Sequence, residues 1–167
     1  MFHNVLLGID GSASAAQALD RAIEIARASR GRIGLLSAVA EPSAWIALAP
    51  FALSVSRAGL RADLEAEAQR HIDEAERAVP LDVPVTKLLT RGRAADALLT
   101  QALDGPWDLI VVGAGGPLGR RAGARLIRKS PVPVLVVQAG PGPIAAPAAT
   151  RRLAGARLPS RARLHAR

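Results

Sequence analysis

The sequence predicts an α/β fold in which an open, doubly wound parallel sheet of five strands is covered by helices on both faces. Short apolar runs alternate with helical patterns four times, and a fifth apolar run follows the last helix, as expected of strands joined by helical crossovers. Runs without polar interruption are typical of strands buried on both faces. The length of 167 residues suits a single core and therefore one domain.

The first strand is predicted at residues 5–9, where the run Val-Leu-Leu-Gly-Ile is wholly apolar. Asp10, Gly11 and Ser12 interrupt this run, and Ser12 or Ser14 is suited to cap the helix that follows. Apolar residues then recur at spacings of three and four as far as an Arg-Gly pair, which indicates the end of that helix.

A second strand is predicted at residues 33–39. After an irregular apolar segment, the longest amphipathic pattern of the chain predicts a helix over residues 56–78, with charged side chains opposite the apolar stripe. Pro80 ends this helix, and residues 83–89 form the predicted third strand.

The last third of the domain repeats the alternation. A short helix is predicted over residues 92–103, a fourth strand over 108–113, a helix over 122–129 and a fifth strand over 133–137. Prolines at the start of the fifth strand favour a position at the edge of the sheet.

Composition excludes several classes of site. The chain has no cysteine, so disulfides, thiolate metal sites and cysteine nucleophiles are excluded. His3, His71 and His165 show no metal-ligand spacing, and we interpret His3 and His71 as solvated. No nucleophile with an activating base is evident, so the sequence predicts a protein that is not an enzyme.

The positive charge is concentrated at the end of the chain. Six of the 22 basic residues and none of the 14 acidic residues follow Gln138, although the whole chain carries a net charge of +8. We therefore predict a domain over residues 1–138 and a flexible Pro-, Gly-, Ala- and Arg-rich tail over 139–167. Two interpretations of the tail stay open: a solvated extension, or a segment that holds nucleic acid weakly by charge.

The beginning of the chain carries no basic segment ahead of its first apolar run. No stretch approaches the roughly 18 consecutive apolar residues of a membrane span. We therefore expect a soluble, cytoplasmic protein without a membrane partner.

The candidate binding residues follow two of the predicted strands. Asp10 and Gly11 follow the first strand, and a glycine-rich turn that includes Gly113 and Gly116 follows the fourth. Parallel sheets bind ligands at the carboxyl ends of their strands, where the strand order reverses. A glycine turn before a helix lets backbone N–H groups approach a phosphate, and a carboxylate accepts hydrogen bonds from adenine or ribose. We expect both groups to line one cleft.

Four stretches of the chain together resemble the universal stress protein (UspA-like) family. Their sequences are NVLLGIDGS at residues 4–12, RGRAADALL at 91–99, DLIVVG at 108–113 and SPVPVLVV at 130–137. The resemblance implies the adenine nucleotide alpha hydrolase-like architecture with strand order 3-2-1-4-5 and a role in the stress response. It also implies a homodimer paired through the last strand, from Val132 to Val137, and an adenine nucleotide in some members.

Members of this family that bind ATP carry the pattern Gly-x2-Gly-x9-Gly-Ser/Thr. Gly113 and Gly116 match its first two glycines, whereas Arg120 and Arg121 stand where the closing pair would be, so about six residues of the loop are missing. The resemblance also implies that Asp10 contacts adenosine and that the backbone of Val39 or Ala40 lies near adenine. ATP or another adenine nucleotide is therefore a candidate ligand, although the triphosphate loop is shortened.

Several interpretations stay open at this point. Arg120, Arg121 and Arg125 could contact phosphate in place of the missing loop, or they could form a solvated start to the helix. The chain is predicted to be a homodimeric stress-response module that binds an adenine nucleotide and acts on an unidentified downstream protein. The alternatives are an interaction protein of the same family without a nucleotide and an adenylate-transferring enzyme.

Overall fold

The structure is a computed structural model that describes residues 1–39, 57–115 and 120–139, with the backbone alone described at 57–58 and 120–122. Five parallel strands form one sheet in the order β3-β2-β1-β4-β5. The strands are β1 (Asn4–Gly8), β2 (Arg32–Val39), β3 (Val85–Arg91), β4 (Leu109–Gly113) and β5 (Val134–Val137). The predicted fold class and the implied strand order are confirmed.

In the described residues, four helices lie between the strands: α1 (Ala13–Ser29), α2 (Arg57–Ala78), α3 (Ala94–Asp104) and α4 (Arg120–Lys129). Within the part of the chain that the structure describes, no helix combines the length and the apolar character needed to cross a bilayer.

Two cores lie on opposite faces of the sheet because side chains alternate along each strand. Val5 and Leu7 of β1 face the core formed with α1 and α2, whereas Leu6 faces the core formed with α3 and α4. All three side chains are fully buried. The central strand is therefore covered on both faces, as its uninterrupted apolar run predicts.

Local sequence determines where α1 begins and ends. Ser12 is the N-cap, and its hydroxyl accepts a hydrogen bond from the Ala15 N–H at 3.2 Å. Arg30 ends the helix in the left-handed conformation, with φ of 53°. The Gly31 N–H then donates to the Ala26 carbonyl at 2.8 Å, which satisfies one of the carbonyls left open at the helix end.

Four predicted boundaries are wrong by two residues, and one of them is the start of α3, which lies at Ala94 rather than at residue 92. The third strand begins at Val85 rather than at residue 83, because the Val83 N–H closes a turn onto the Pro80 carbonyl at 3.0 Å. It also continues to Arg91, because β2 still offers a partner there. The last helix begins at Arg120 rather than at residue 122.

The amino ends of the central strands are joined by a carboxylate. Asp108 accepts hydrogen bonds from the backbone N–H groups of His3 and Asn4, each at 2.9 Å. The neighbouring Trp107 is buried, and its ring lies 2.3 Å from where a Cβ on Gly34 would stand. Only glycine fits there, so the indole packs directly on β2.

Candidate functional site

The candidate site lies at the carboxyl end of the sheet, where the strand order reverses. β1 and β4 are hydrogen-bonded neighbours in parallel orientation, with Leu7 opposite Val111. The segments that follow them, beginning at Asp10 and at Ala114, therefore emerge side by side. This adjacency, on which a shared cleft depends, is confirmed, and it is the geometry that binds ligands in open α/β sheets.

A chain of hydrogen bonds connects the two segments. The Asp10 carboxylate accepts from the Ser12 N–H at 3.0 Å and from the Ser12 hydroxyl at 2.6 Å. The hydroxyls of Ser12 and Ser14 lie 3.0 Å apart, and the Gly115 N–H donates to Ser14 Oγ at 2.9 Å. We call these four residues, Asp10, Ser12, Ser14 and Gly115, the hydroxyl chain.

The donors and acceptors give the hydroxyl chain one direction. Each serine hydroxyl has a single proton, and that of Ser12 is donated to Asp10. The Ser14 proton therefore points to Ser12, and Ser14 in turn accepts the Gly115 N–H. Hydrogen bonds aligned in this way strengthen one another, and the Asp10 carboxylate accepts the hydrogen bond from Ser12.

Helix α1 packs closely against the end of β4. A Cβ on Gly113 would stand 2.6 Å from the backbone and hydroxyl of Ser14, and one on Gly115 would stand 2.9 Å from the same hydroxyl. Ser14 itself is 2% exposed. The structure therefore explains Gly113 by the packing of α1 on β4, an explanation that needs no ligand.

Sequence reasoning missed His71. Its side chain is partly buried, and its ring lies 2.4 Å from where a Cβ on Gly11 would stand. The interpretation of His71 as a solvated helix position is therefore wrong. Gly11 has φ of +72°, so both its conformation and the imidazole beside it require glycine. The one local signal is that His71 precedes Ile72, a core residue of α2.

The remaining predicted residues are placed as follows. Val39 is buried at the end of β2, and its carbonyl accepts the Gly92 N–H at 2.9 Å. Ala40 and Gly116 lie outside the described residues, and Arg120 and Arg121 are described only as the first residues of α4. The predicted tail, apart from Ala139, also lies outside them.

Arg125 is already paired within the protein. Its guanidinium on α4 forms an ion pair with Asp96 in the first turn of α3. Of the two roles left open for Arg125, phosphate contact and solvated helix start, the structure shows neither. The pair instead connects the two helices that cover one face of the sheet.

No three histidine or acidic side chains of the described segments are grouped so that they could hold a metal ion. The hydroxyl chain presents a carboxylate beside backbone amides. Oxygens of that carboxylate can accept hydrogen bonds from a ligand's amino or hydroxyl groups, whereas the Ser12 and Gly115 amides already donate within the protein.

Comparison with known proteins agrees with this geometry. The sequence profile of the Universal stress protein family matches residues 1–138. No curated protein matches the sequence significantly. A universal stress family protein from Burkholderia pseudomallei is similar in structure, with 25% identity, a TM-score of 0.65 and coverage of 80% of this chain and 94% of that one.

Two similar structures hold nucleotides. A universal stress protein in complex with cAMP is 28% identical, with a TM-score of 0.54 and coverage of 82% of this chain and 97% of that one. A universal stress family protein from Arabidopsis thaliana with AMP bound is 16% identical, with a TM-score of 0.61 and coverage of 83% and 93%. With the profile match over the whole α/β domain, these likenesses show that the chain belongs to the universal stress protein family.

Proposed function

We propose that this protein is a homodimeric, cytoplasmic stress-response module that binds an adenine nucleotide at the cleft between the ends of β1 and β4. The observation that carries the proposal is the adjacency of those strands, which sets the Asp10 carboxylate beside a glycine turn. The carboxylate suits the amino or hydroxyl groups of adenosine, and the turn suits a phosphate. The cAMP and AMP held by two similar proteins support this choice of ligand.

The test begins with the protein as purified. Denaturation followed by chromatography of the released small molecules identifies any nucleotide carried through purification. Calorimetric titration with AMP, cAMP and ATP then measures binding directly. We expect heat of binding from at least one of these ligands.

The matched variants are Asp10→Ala and Asp20→Ala, since Asp20 is an exposed acid of α1 outside the hydroxyl chain. Loss of a hydrogen bond to a charged group is expected to weaken nucleotide binding about 10- to 100-fold in D10A and to leave D20A unchanged. No heat from wild-type protein at millimolar nucleotide would reject the proposal.

One observation favours a second candidate, an interaction protein of the same family without a nucleotide. The Gly115 N–H and the Val39 carbonyl, both at positions expected to face a ligand, already have partners within the chain. The calorimetric result decides between the two candidates.

The proposal is for binding rather than catalysis. The Ser12 hydroxyl donates its proton to Asp10 and also caps α1, which is the role of a structural serine. An adenylate-transferring enzyme would release pyrophosphate from ATP, and a pyrophosphate assay with purified protein tests that alternative.

For the homodimer, we propose pairing through β5 and the residues before it, from Val132 to Val137. β5 is an apolar edge strand whose four residues are all partly buried, and an uncovered edge of this kind pairs with another chain. Sedimentation at micromolar concentration is expected to show a dimer, and a monomer would contradict this assignment.

A further inference from the structure

We infer that a groove between α1 and β5 is the docking site of the chain's own arginine-rich tail, residues 140–167. The groove has a volume of about 580 Å³. It is lined by α1 between Gln17 and Glu24, and by Val137 and Gln138 at the carboxyl end of β5. None of these residues belongs to the hydroxyl chain, so the inference does not rest on the proposed function.

The first argument is the place where the tail begins. Val137 is the last residue of β5, and both it and Gln138 line the groove. Only Ala139 separates them from the tail, so the covalent chain holds the start of the tail beside the groove. A connection of this kind gives an effective concentration of roughly millimolar. A weak contact is therefore sufficient, and this favours the chain's own tail over a separate partner.

The second argument is the direction of the groove. α1 connects the parallel strands β1 and β2, so it runs antiparallel to the strands. The groove therefore extends from the carboxyl end of β5 back towards its amino end, and a segment that follows β5 must reverse its direction to enter. The sequence Gly-Pro-Gly-Pro at residues 140–143 has the residue types that form such turns.

The third argument is the apolar part of the groove. Ile23 of α1 and Val137 of β5 both line it, and both are only partly buried against the core. The tail offers the apolar sequence Ile-Ala-Ala-Pro-Ala-Ala at residues 144–149, directly after the turn sequence. Its proline restricts the free chain, which lowers the conformational entropy lost on docking. These small side chains suit a narrow groove with two aliphatic residues in its wall.

The fourth argument is charge. The groove has two carboxylates, those of Asp20 and Glu24, and one guanidinium, that of Arg21, which gives a net charge of −1. Arg21 pairs with Glu24 at 2.7 Å, so Asp20 carries the net negative charge. The tail has six arginines and no acid. The groove and the tail are therefore complementary in charge.

The spacing allows this contact. The first two arginines of the tail are Arg151 and Arg152, and the segment of about 12 residues from Ala139 to Arg151 spans up to about 40 Å when extended. The stretch of α1 that lines the groove, from Gln17 to Glu24, is only about 10 Å long. The turn and the apolar segment can therefore occupy the groove while an arginine reaches Asp20.

The experiment uses the full chain with one nitroxide label in the tail. The chain has no cysteine, so Thr150→Cys provides a single attachment site. The nitroxide broadens the NMR signals of amides close to it. We expect broadening at Gln17, Asp20 and Glu24, and none at Asp104, which ends α3 on the opposite face of the sheet. Added salt should reduce the broadening, because it screens ion pairs between exposed groups.

A matched pair of variants tests the groove. Asp20→Asn with Glu24→Gln removes both of its carboxylates. Asp63→Asn with Glu67→Gln removes two exposed carboxylates at the same spacing on α2, which packs on β2 and β3 rather than on β5. We expect the first variant to weaken the docking equilibrium about twofold to tenfold, and the second to keep it close to the wild-type value.

A second matched pair tests the tail. Arg151→Gln with Arg152→Gln should weaken docking about twofold to tenfold. Arg161→Gln with Arg163→Gln makes the same change in charge near the end of the chain and should have a smaller effect. Equal weakening by these two variants would show attraction by total charge alone and would overturn the inference.

A mixed sample distinguishes the tail of the same chain from that of a second copy. It contains isotope-labelled chain without the nitroxide and unlabelled chain that carries it, so it reports contacts between chains only. We expect no broadening of the groove signals in this sample. Broadening as strong as in the singly labelled chain would assign the groove to a second copy and overturn the inference. Absence of broadening at the groove in the singly labelled chain would also overturn it.

Discussion

The two edges of the sheet differ in how they meet solvent. β3 carries Lys87 and Arg91 on the side that faces α2, and acidic residues of that helix hold both charges. Lys87 Nζ lies 2.8 Å from Glu76 and 3.4 Å from Asp73, and Arg91 lies 2.8 Å from Glu65. β5, at the opposite edge, consists of the four uncharged residues Val134–Val137.

Edge strands present unpaired backbone groups that can pair with another chain, and charged side chains oppose such pairing. The β3 edge is protected in this way, whereas the β5 edge is not. The comparison shows that the two edges differ in charge, and the uncharged β5 edge is the one through which we propose the homodimer.

The largest expected effect comes from proline in β5. The carbonyls of Pro133 and Val137 accept hydrogen bonds from the β4 side, and backbone groups alternate along a strand, so the Val136 N–H points outward. Val136→Pro removes that N–H and leaves the pairing with β4 in place. Two lost bonds per dimer, at about 1 kcal/mol each, should weaken the dimer about 30-fold, as measured by sedimentation.

The matched control is Leu89→Pro in β3. There the Pro84 carbonyl accepts the Ile33 N–H of β2, so the Leu89 N–H also points outward. This variant should keep the wild-type association constant. Equal weakening by both prolines would show that the dimer does not depend on the β5 edge.

An intermediate effect is expected when the charges of β3 are removed. Lys87→Met with Arg91→Leu removes both charges from that edge, and each new cross-strand apolar pair contributes about 0.2–1 kcal/mol. Light scattering should therefore show association of chains through the β3 edge, in addition to pairing through β5. We expect the association constant of this β3 contact to be about twofold to tenfold higher than in wild-type protein.

The control for this pair is Arg77→Leu with Lys129→Met, which removes the same charges from exposed positions on α2 and α4. If it associates to the same extent, loss of net charge rather than the unprotected edge is the cause.

The smallest effect is the pH dependence of the Lys87 contacts. The hydrogen bond to Glu76, with help from Asp73, raises the pKa of Lys87 above its ordinary value of 10.5. Because the pKa is raised on folding, this contribution is fully present below pH 10.5 and is lost as the pH rises through the folded value. Lys87 is exposed, so we expect a slight effect that salt screens further.

Urea unfolding measured on both sides of this pH range, for wild-type protein and Glu76→Gln, tests the prediction. The difference in unfolding free energy between the two proteins should shrink at the higher pH. A constant difference would assign the effect of Glu76 to something other than its contact with Lys87.

The sequence predicts β1, β2 and β4 well because each is a short, largely apolar run between turn residues, and burial on both faces explains that composition. The ends of the strands are predicted less accurately than their positions in the sequence. Val83 belongs to an apolar run and is buried, but its N–H closes a turn, so this residue lies outside β3. An apolar residue is expected to be buried, but it belongs to a strand only if its backbone also pairs with a neighbouring strand.

The sequence predicts some residues of the candidate site and misses others. Asp10 and Gly113 are found because each lies at the carboxyl end of a strand, and the strands are neighbours. Ser14 and His71 act across long sequence separations: Ser14 accepts the amide of Gly115, 101 residues away, and His71 packs on Gly11. Local patterns do not identify the partners in such contacts.

The contact of Asp108 with the start of β1 has a consequence for the order of folding. The central strand can pair with β2 as soon as the nearby α1 crossover forms, but its bond from Asn4 to Asp108 spans 104 residues. Contacts of high sequence separation form late, because their loop-closure entropy must be offset by structure already in place. β1, which lies in the middle of the finished sheet, is thus an edge strand during early folding. β4 pairs with β1 only when most of the domain has been synthesised.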